Sequence, residues 1–394
     1  MLGFYSYISM RGISNGIFFS LWIIFFKDVG LNLFHIGLIG AILEISRMIF
    51  EIPTGSFADK YGRKISLVGA ALIYTLSLAI FTVANVPWHA YLAAFIFGLG
   101  DSFRSGAYEA WLMDYLKGRG QEGKFKANIT NAYILFYLFC IISSIFAGHV
   151  YKISRYSILY ISITANLIAL LSCIFMPEVL ALDEKRKKLN FRMHFIESIK
   201  ESYHLIKSNK NLSLFFFAGA ALAFGIDGIE RYYQPFLQNI GFSSIQIAYL
   251  YTISSIMGII MLFLDKVSSR ILKYNDLTVL ILSQGIIFFI VLTISVYSMT
   301  VSYYLIIIFF GLNYVLRPSV QNYLNQRIPS SIRATALSSY ELVGAGGEIS
   351  SGFILGALAH KCGINTGFFF AGLVIMVSCF ILVRLKRRYV EYAS

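Results

Sequence analysis

Twelve long apolar runs divide this chain, and they leave few folds open to it. Of its 394 residues, 57% are hydrophobic and only 13% are charged, whereas a soluble domain carries about 25% charged residues. A helix that crosses a bilayer needs about 20 predominantly apolar residues. The runs therefore predict an all-α, polytopic membrane protein with twelve transmembrane helices, called spans one to twelve here: 4–27, 33–57, 65–85, 88–114, 126–150, 156–176, 211–239, 243–264, 276–297, 301–325, 333–357 and 363–385.

Basic residues lie mostly in alternate loops. A formal net charge of +13 would suggest a nucleic-acid partner if the protein were soluble. Here most lysines and arginines follow the even-numbered spans, and cytoplasmic loops carry such an excess. The pattern predicts a multi-pass protein of the cell membrane (plasma or inner), with both termini in the cytoplasm and no nucleic-acid partner.

A polar segment between spans six and seven divides the chain into two halves of six spans. It contains the basic run 185–188, and residues 191–206 place apolar side chains at helical spacing among charges, which is typical of an amphipathic helix on a membrane surface. We therefore predict two pseudo-symmetric six-helix bundles, 1–180 and 211–394, joined by an amphipathic cytoplasmic linker, 181–210. The loop after span two has a basic counterpart after span eight, as an internal repeat would give.

The loop after span two also carries the most distinctive motif of the chain. Residues 55–64 read GSFADKYGRK, in which one glycine permits close helix approach and the other a tight turn. The motif resembles the loop Gly-x-Leu-Ala-Asp-[Arg/Lys]-x-Gly-Arg-[Arg/Lys] of the major facilitator superfamily, with Phe57 where leucine is usual. Together with two halves of six spans, it indicates a resemblance to that superfamily over the whole chain.

The resemblance implies a secondary active transporter that works by alternating access. In the superfamily, the loop aspartate caps the start of span eleven, here 330–334, when the cytoplasmic side is closed. Arg63 and Lys64 can reach carboxylates at neighbouring helix ends, and Asp114 is one candidate. The residues expected to form this conformational latch are Gly55, Asp59, Lys60, Gly62, Arg63 and Lys64.

Residues upstream of the loop extend the resemblance to one branch. Glu51, Pro53, Asp59, Arg63 and Lys64 form the pattern ExPxxxxxDxxxRK, which is similar to drug exporters that include clostridial-type tetracycline efflux proteins. It favours an antiporter for multidrug efflux, exporting amphipathic or cationic drug-like compounds in exchange for protons. Span five lacks the glycine- and proline-rich antiporter motif, so a proton-coupled importer of a sugar or peptide remains the alternative.

The expected partners are a small-molecule substrate, protons and the lipid bilayer, and we expect the protein to work as a monomer. No CxxC, HExxH or Walker-type pattern occurs in the sequence. We therefore expect no enzyme activity, no metal site and no cofactor. The alternative of another class is a membrane-embedded enzyme or a receptor that does not transport.

Charged residues inside spans are costly and usually face the interior of a bundle. Helical neighbours three or four positions apart can neutralise each other. Seven residues share such spacing and are predicted to form buried charge pairs within one span each: Glu44, Arg47 and Glu51 in span two, Asp101 and Arg104 in span four, and Asp227 and Arg231 in span seven.

Four acids in the spans are candidates for carrying a coupling proton, because desolvation favours the neutral form of a carboxyl group. They are Glu109, Asp227, Glu341 and Glu348. The alternative is that arginines of other spans, such as Arg11 and Arg317, neutralise them. Aromatic faces and arginines can also contact a flat or charged solute; the candidates for lining the substrate cavity are Arg11, Tyr232, Tyr233 and Arg317.

Overall fold

The computed structural model describes residues 1–177, 179, 200, 207, 209–272, 275–297, 299–328 and 333–391. These residues form α-helices and one short 3-10 helix, and no strand occurs among them. The helices are α1 Leu2–Phe19, α2 Trp22–Asp28, α3 Leu33–Tyr61, α4 Arg63–Thr82, α5 Pro87–Arg104, α6 Ala107–Lys117, α7 Phe125–Ile153, α8 Ser157–Ile174, α9 Lys210–Asn239, α10 Ser244–Leu272, α11 Asp276–Val296, α12 Val301–Arg327, α13 Arg333–Cys362 and α14 Ile364–Glu391.

Ten of the described helices are long and apolar enough to cross a membrane, and α1 with α2 makes an eleventh candidate bent by 45°. The prediction of an all-α, polytopic membrane protein is thereby confirmed. Two predicted spans are not single helices: span one is interrupted at Ser20 and Leu21, and span four at Ser105 and Gly106. Gly106 has a φ of 69°, which L residues rarely adopt, so the second break lies where glycine permits it.

The chain divides into two compact units, which we describe separately and only over the described residues. Unit 1 comprises Met1–Leu31, Ile42–Phe195 and Ser243–Thr252. In it, α1 packs on α7 and α8, and α4 packs on α5 and α8. Trp111 is fully buried at the centre of an aromatic stack, with ring centroids 5.3 Å from Phe4 and 5.1 Å from Tyr115.

Small residues bring α3 and α5 into close contact inside unit 1. A Cβ atom at Gly98 would collide with the backbone carbonyl of Leu43 and with Ser46, so only glycine fits at this crossing. Ser46 Oγ donates a hydrogen bond to the Phe95 carbonyl at 2.6 Å, and Ser102 Oγ donates to the Arg47 carbonyl at 3.0 Å. Such small and hydroxylated residues are typical of helix contacts in membranes.

Unit 2 comprises Asn32–Ala41, Ile196–Phe242 and Ile253–Ser394. Here α9 packs on α13 and α14, and α11 packs on α12 and α14. Phe215 stacks on Tyr323 with centroids 4.3 Å apart. The predicted amphipathic helix at 191–206 lies outside the described residues except for residue 200, and the domain boundaries at 180 and 210 stay a prediction.

Two helices contribute to both units. The first nine residues of α3 belong to unit 2, and the first nine residues of α10 belong to unit 1. Both segments pack against glycine: Gly37 of α3 lies against the backbone of Gly352, and Ile245 of α10 lies against Gly148. α3 and α10 correspond to spans two and eight, the second spans of the two predicted halves. The same division of a helix between units therefore occurs at equivalent positions of the predicted repeat.

Candidate functional site

Asp101 of α5 is the centre of a polar network in unit 1. It accepts hydrogen bonds from the Tyr74 hydroxyl at 2.6 Å and from Arg104 Nη2 at 2.7 Å. Arg47 Nε lies 3.5 Å from the other carboxylate oxygen. The Asp101–Arg104 contact has the spacing predicted from the sequence, whereas Tyr74 and Arg47 reach Asp101 from other helices.

Arg47 was predicted to pair with two acids of its own span, and it forms an ion pair with Glu44 but not with Glu51. Glu44 lies 3.7 Å from Arg47 Nη1. Glu51 is exposed and forms no ion pair within the part of the chain that the structure describes. It was predicted to belong to a buried charge pair and does not. Arg47 turns to Asp101 of the neighbouring helix instead.

Arg11 of α1 is buried and is held by uncharged groups. Its Nη1 donates to Asn166 Oδ1 at 2.8 Å, and its guanidinium lies 3.7 Å from the centre of the Tyr74 ring. Asn166 in turn donates to Ser14 Oγ at 2.8 Å. Arg11 was predicted as a cavity residue or a partner of acids, but no ion pair to it occurs among the described residues. The sequence feature that could have indicated this contact is Asn166, the single asparagine in the apolar span six.

Glu109 of α6 is half-buried and accepts two hydrogen bonds from tyrosine hydroxyls. The Tyr133 hydroxyl of α7 donates one of these hydrogen bonds, and the Tyr108 hydroxyl donates the other at 3.1 Å. No ion pair to Glu109 is present in the described ranges. This proton-coupling candidate therefore has neutral partners, on two different helices.

The polar residues of α9 in unit 2 form two adjacent contacts. Asp227 Oδ2 lies 2.5 Å from Arg231 Nε, as the spacing predicted. A Cβ atom at Gly40 would overlap the Arg231 guanidinium, so that group lies directly against α3. Glu230 Oε1 accepts from Asn313 Nδ2 at 2.8 Å and forms no ion pair within the described part of unit 2. Glu230 was not among the residues predicted from the sequence, because its partner Asn313 is one of three asparagines in span ten and carries no distinguishing signal.

The remaining predicted residues of unit 2 make other contacts. Tyr232 and Tyr233 are buried, so they do not present open ring faces. The Tyr232 hydroxyl donates to the Leu33 carbonyl at 3.3 Å, and the Gln234 amide donates to the Tyr233 hydroxyl at 3.2 Å. Glu348 is half-buried on α13.

Glu341 and Arg317 form an open ion pair, 3.7 Å apart, with side chains 63% and 76% exposed. Ion pairs with both side chains largely exposed contribute about 0–1 kcal/mol. We therefore expect Glu341→Gln to change the unfolding temperature of the purified protein by no more than about 2 °C. A thermal unfolding curve checks this, with Arg317→Gln as the matched variant; a fall of 5 °C or more in either would contradict it.

The loop motif is folded onto unit 1. Asp59 and Arg63 form an ion pair, and Arg63 Nε lies 4.0 Å from Asp114 Oδ2. Lys64 Nζ donates to the Ile174 carbonyl at 3.2 Å, and Lys60 lies 5.0 Å from the Tyr61 ring centre. Segment 329–332, which holds most of the latch partner predicted for Asp59, lies outside the described residues.

The two motif glycines differ. Gly62 has a φ of 109° and forms the turn between α3 and α4, as a glycine there allows. A Cβ atom at Gly55 would meet nothing within 4 Å. The close helix approach expected at Gly55 is therefore not present among the described residues, because no neighbouring element packs on that position.

Comparison with known proteins agrees with the fold. Residues 4–351 match the family model of the Major Facilitator Superfamily. The chain is 31% identical over 382 residues to the "Uncharacterized MFS-type transporter YxaM" of Bacillus subtilis (strain 168), covering 96% of this chain and 93% of that protein. It is 24% identical over 368 residues to "Multidrug resistance protein 2" of the same organism, covering 90% and 86%.

A crystal structure of a mutant of the nucleoside transporter NupG superposes with a TM-score of 0.81, at 16% identity, over 98% of this chain and 99% of that one. At this identity the likeness shows the fold alone. The family match and the full-length relatives go further: the chain belongs to the Major Facilitator Superfamily, and it is a multi-pass membrane transporter rather than an enzyme.

Proposed function

We propose that this transporter works by alternating access and exports amphipathic or cationic compounds in exchange for protons. The observation that carries the proposal is the way two carboxyl groups are held. Glu109 and Glu230 are bound by tyrosine hydroxyls and an asparagine amide, whereas Asp101 and Asp227 are bound by guanidinium groups. The first pair can change charge without leaving an arginine unpartnered.

The energetics separate these two classes of acid. An ionised side chain at the centre of a span costs at least about 2.5–3.5 kcal/mol. Protonation of Glu109 or Glu230 removes that charge and leaves a hydrogen-bonded neutral acid. Protonation of Asp101 would instead leave the Arg104 guanidinium without its anion, which is costly for buried pairs. Glu109 therefore stays a proton-coupling candidate, Glu230 joins it, and Asp227 and Glu341 become weaker ones.

Relatives support export as the direction. The name of one full-length relative, "Multidrug resistance protein 2", describes a resistance protein, and efflux of amphipathic compounds is one way to give resistance. The branch pattern of the loop motif favours the same substrate class. For the cell we propose the plasma or inner membrane, cytoplasmic termini and a functional monomer, because most basic residues follow the even-numbered spans. Epitope tags at both termini, probed in intact and permeabilised cells, test the orientation.

We also propose that the loop 55–64 acts as a conformational latch. Its contacts support this: the Asp59–Arg63–Asp114 chain joins the ends of α3, α4 and α6, and Lys64 holds the end of α8. A loop that ties four helix ends together can move them as one body.

Flux in proteoliposomes tests proton coupling. We expect the purified protein to move a cationic dye against its gradient when a pH gradient is imposed. Glu109→Gln and Glu230→Gln should each reduce that gradient-driven flux at least about tenfold, because a glutamine cannot bind or release the proton. Exchange of labelled for unlabelled dye without a pH gradient should persist, since it needs substrate binding but no proton. Glu122→Gln, at an exposed glutamate of the short 3-10 helix, is the matched control.

Two results would contradict the proposal. If both glutamine variants keep gradient-driven flux, these carboxyl groups do not carry the coupling proton. If the wild-type protein ignores the dyes but takes up a sugar or peptide with protons, the protein is an importer instead.

A further inference from the structure

We propose that Arg11 and Tyr7 of α1 form a binding site for a small monovalent anionic group, either a halide or a carboxylate. The site lies within unit 1, and no sequence motif selected Tyr7. It rests on the packing of α1, α4 and α8 and does not require proton coupling, so it can hold or fail independently of the proposed function.

Arg11 has one N–H donor, at Nε, that could bind a ligand. Its side chain is 5% exposed, Nη1 is used by Asn166, and one face of the group is covered by the Tyr74 ring. The Nε–H group is buried and has no hydrogen-bond partner among the residues that the structure describes. In the described part of unit 1, no carboxylate comes within ion-pair distance of Arg11. A buried guanidinium without an anion is an uncompensated charge, and such a charge destabilises the folded protein.

Tyr7 supplies a second spare donor on the same side of the helix. It precedes Arg11 by four positions, so the two side chains share one face of α1. Tyr7 is fully buried, yet its hydroxyl has no hydrogen-bond partner within the described ranges. Buried polar groups are nearly always satisfied, so two such donors one helical turn apart on the same face call for an acceptor that can serve both.

The chemistry of these donors selects an anion. A guanidinium donates only and cannot accept, so a cation or a donor-only ligand is excluded. Asp101 does not serve as the acceptor, because its contacts are made with Tyr74, Arg104 and Arg47. A halide or a carboxylate would satisfy both donors with charge-assisted hydrogen bonds and would neutralise Arg11.

Direct binding to the purified full-length chain tests the site. Radioactive chloride and radioactive benzoate serve as probes in a scintillation proximity assay, at constant pH and without a proton gradient. We expect saturable binding of at least one probe. Arg11→Gln should weaken it at least about tenfold, equivalent to about 1.4 kcal/mol, and Tyr7→Phe about threefold or more. Arg119→Gln, an exposed arginine near Tyr115, should leave it unchanged.

Each outcome decides the matter. Benzoate that is displaced by chloride indicates a site for a free halide, and binding of benzoate alone indicates a carboxylate carried by the transported compound. Absence of saturable binding to the wild-type protein would overturn the site, as would equal affinities for wild type and Tyr7→Phe. Tyr7→Phe removes a single oxygen and keeps the buried ring, so it decides even if Arg11→Gln fails to fold.

Discussion

Replacing Asp101 with asparagine is expected to lower the free energy of unfolding by about 3 kcal/mol, the lower end of the cost of removing one partner from a buried ion pair, because the Arg104 side chain is 30% exposed. The Asp101 side chain is 18% exposed, and it holds Arg104 and Tyr74 at 2.7 Å and 2.6 Å. The asparagine would leave the Arg104 guanidinium without an anion. Arg47 adds little to this loss of stability, since its side chain is 42% exposed and its Nε lies 3.5 Å from Asp101 Oδ2.

Thermal and chemical unfolding of the purified protein measure this loss, with Glu51→Gln as the control. The control should change stability by no more than about 0.5 kcal/mol, because Glu51 is exposed. The double variant Asp101→Asn with Arg104→Gln should cost less than the two single changes added together, since the pair acts as one unit. Strict additivity, or an Asp101→Asn protein as stable as the control, would mean that the ion pair is not what holds α3, α4 and α5 together.

Replacing Gly98 with leucine is expected to separate α3 from α5 and to cost about 3 kcal/mol, near the upper end for overpacked sites. A single added Cβ atom already collides with the Leu43 carbonyl and with Ser46. The obstacle is backbone, which cannot turn aside as a flexible side chain can. Better helix propensity of leucine offsets less than about 1 kcal/mol.

Gly285→Leu provides the matched control for this prediction. Gly285 also lies inside a long apolar helix, α11, but a Cβ atom there would meet nothing within 4 Å. We expect its unfolding temperature to be unchanged or slightly raised, while that of Gly98→Leu falls by several degrees. Similar behaviour of the two variants would show that α3 and α5 do not depend on close backbone contact.

The fold could be predicted because its signals are local. A run of about 20 apolar residues predicts a membrane span without any knowledge of its neighbours. The loop motif indicated the superfamily whose family model matches residues 4–351. The breaks in spans one and four were missed because hydropathy averages over a window. A local reading of the Ser105–Gly106 pair, next to Arg104, could have found the second break.

The site was predictable only where its contacts stay within one helix. Asp101 with Arg104 and Asp227 with Arg231 follow from helical spacing. The contacts of Arg11 with Asn166 and of Glu230 with Asn313 join residues 155 and 83 positions apart. Nothing in local spacing specifies them, since they depend on which helices become neighbours.

The first nine residues of α3 and of α10 belong to a different unit from the rest of each helix. This division affects how the chain could be cut into fragments. A cut in the segment 181–210 would leave residues 33–41 on the first fragment, although they pack in unit 2, and residues 243–252 on the second, although they pack in unit 1. Each fragment alone would therefore lack a piece of its own core. We therefore expect a fragment that ends in the segment 181–210 to be less stable when it is produced without the other fragment.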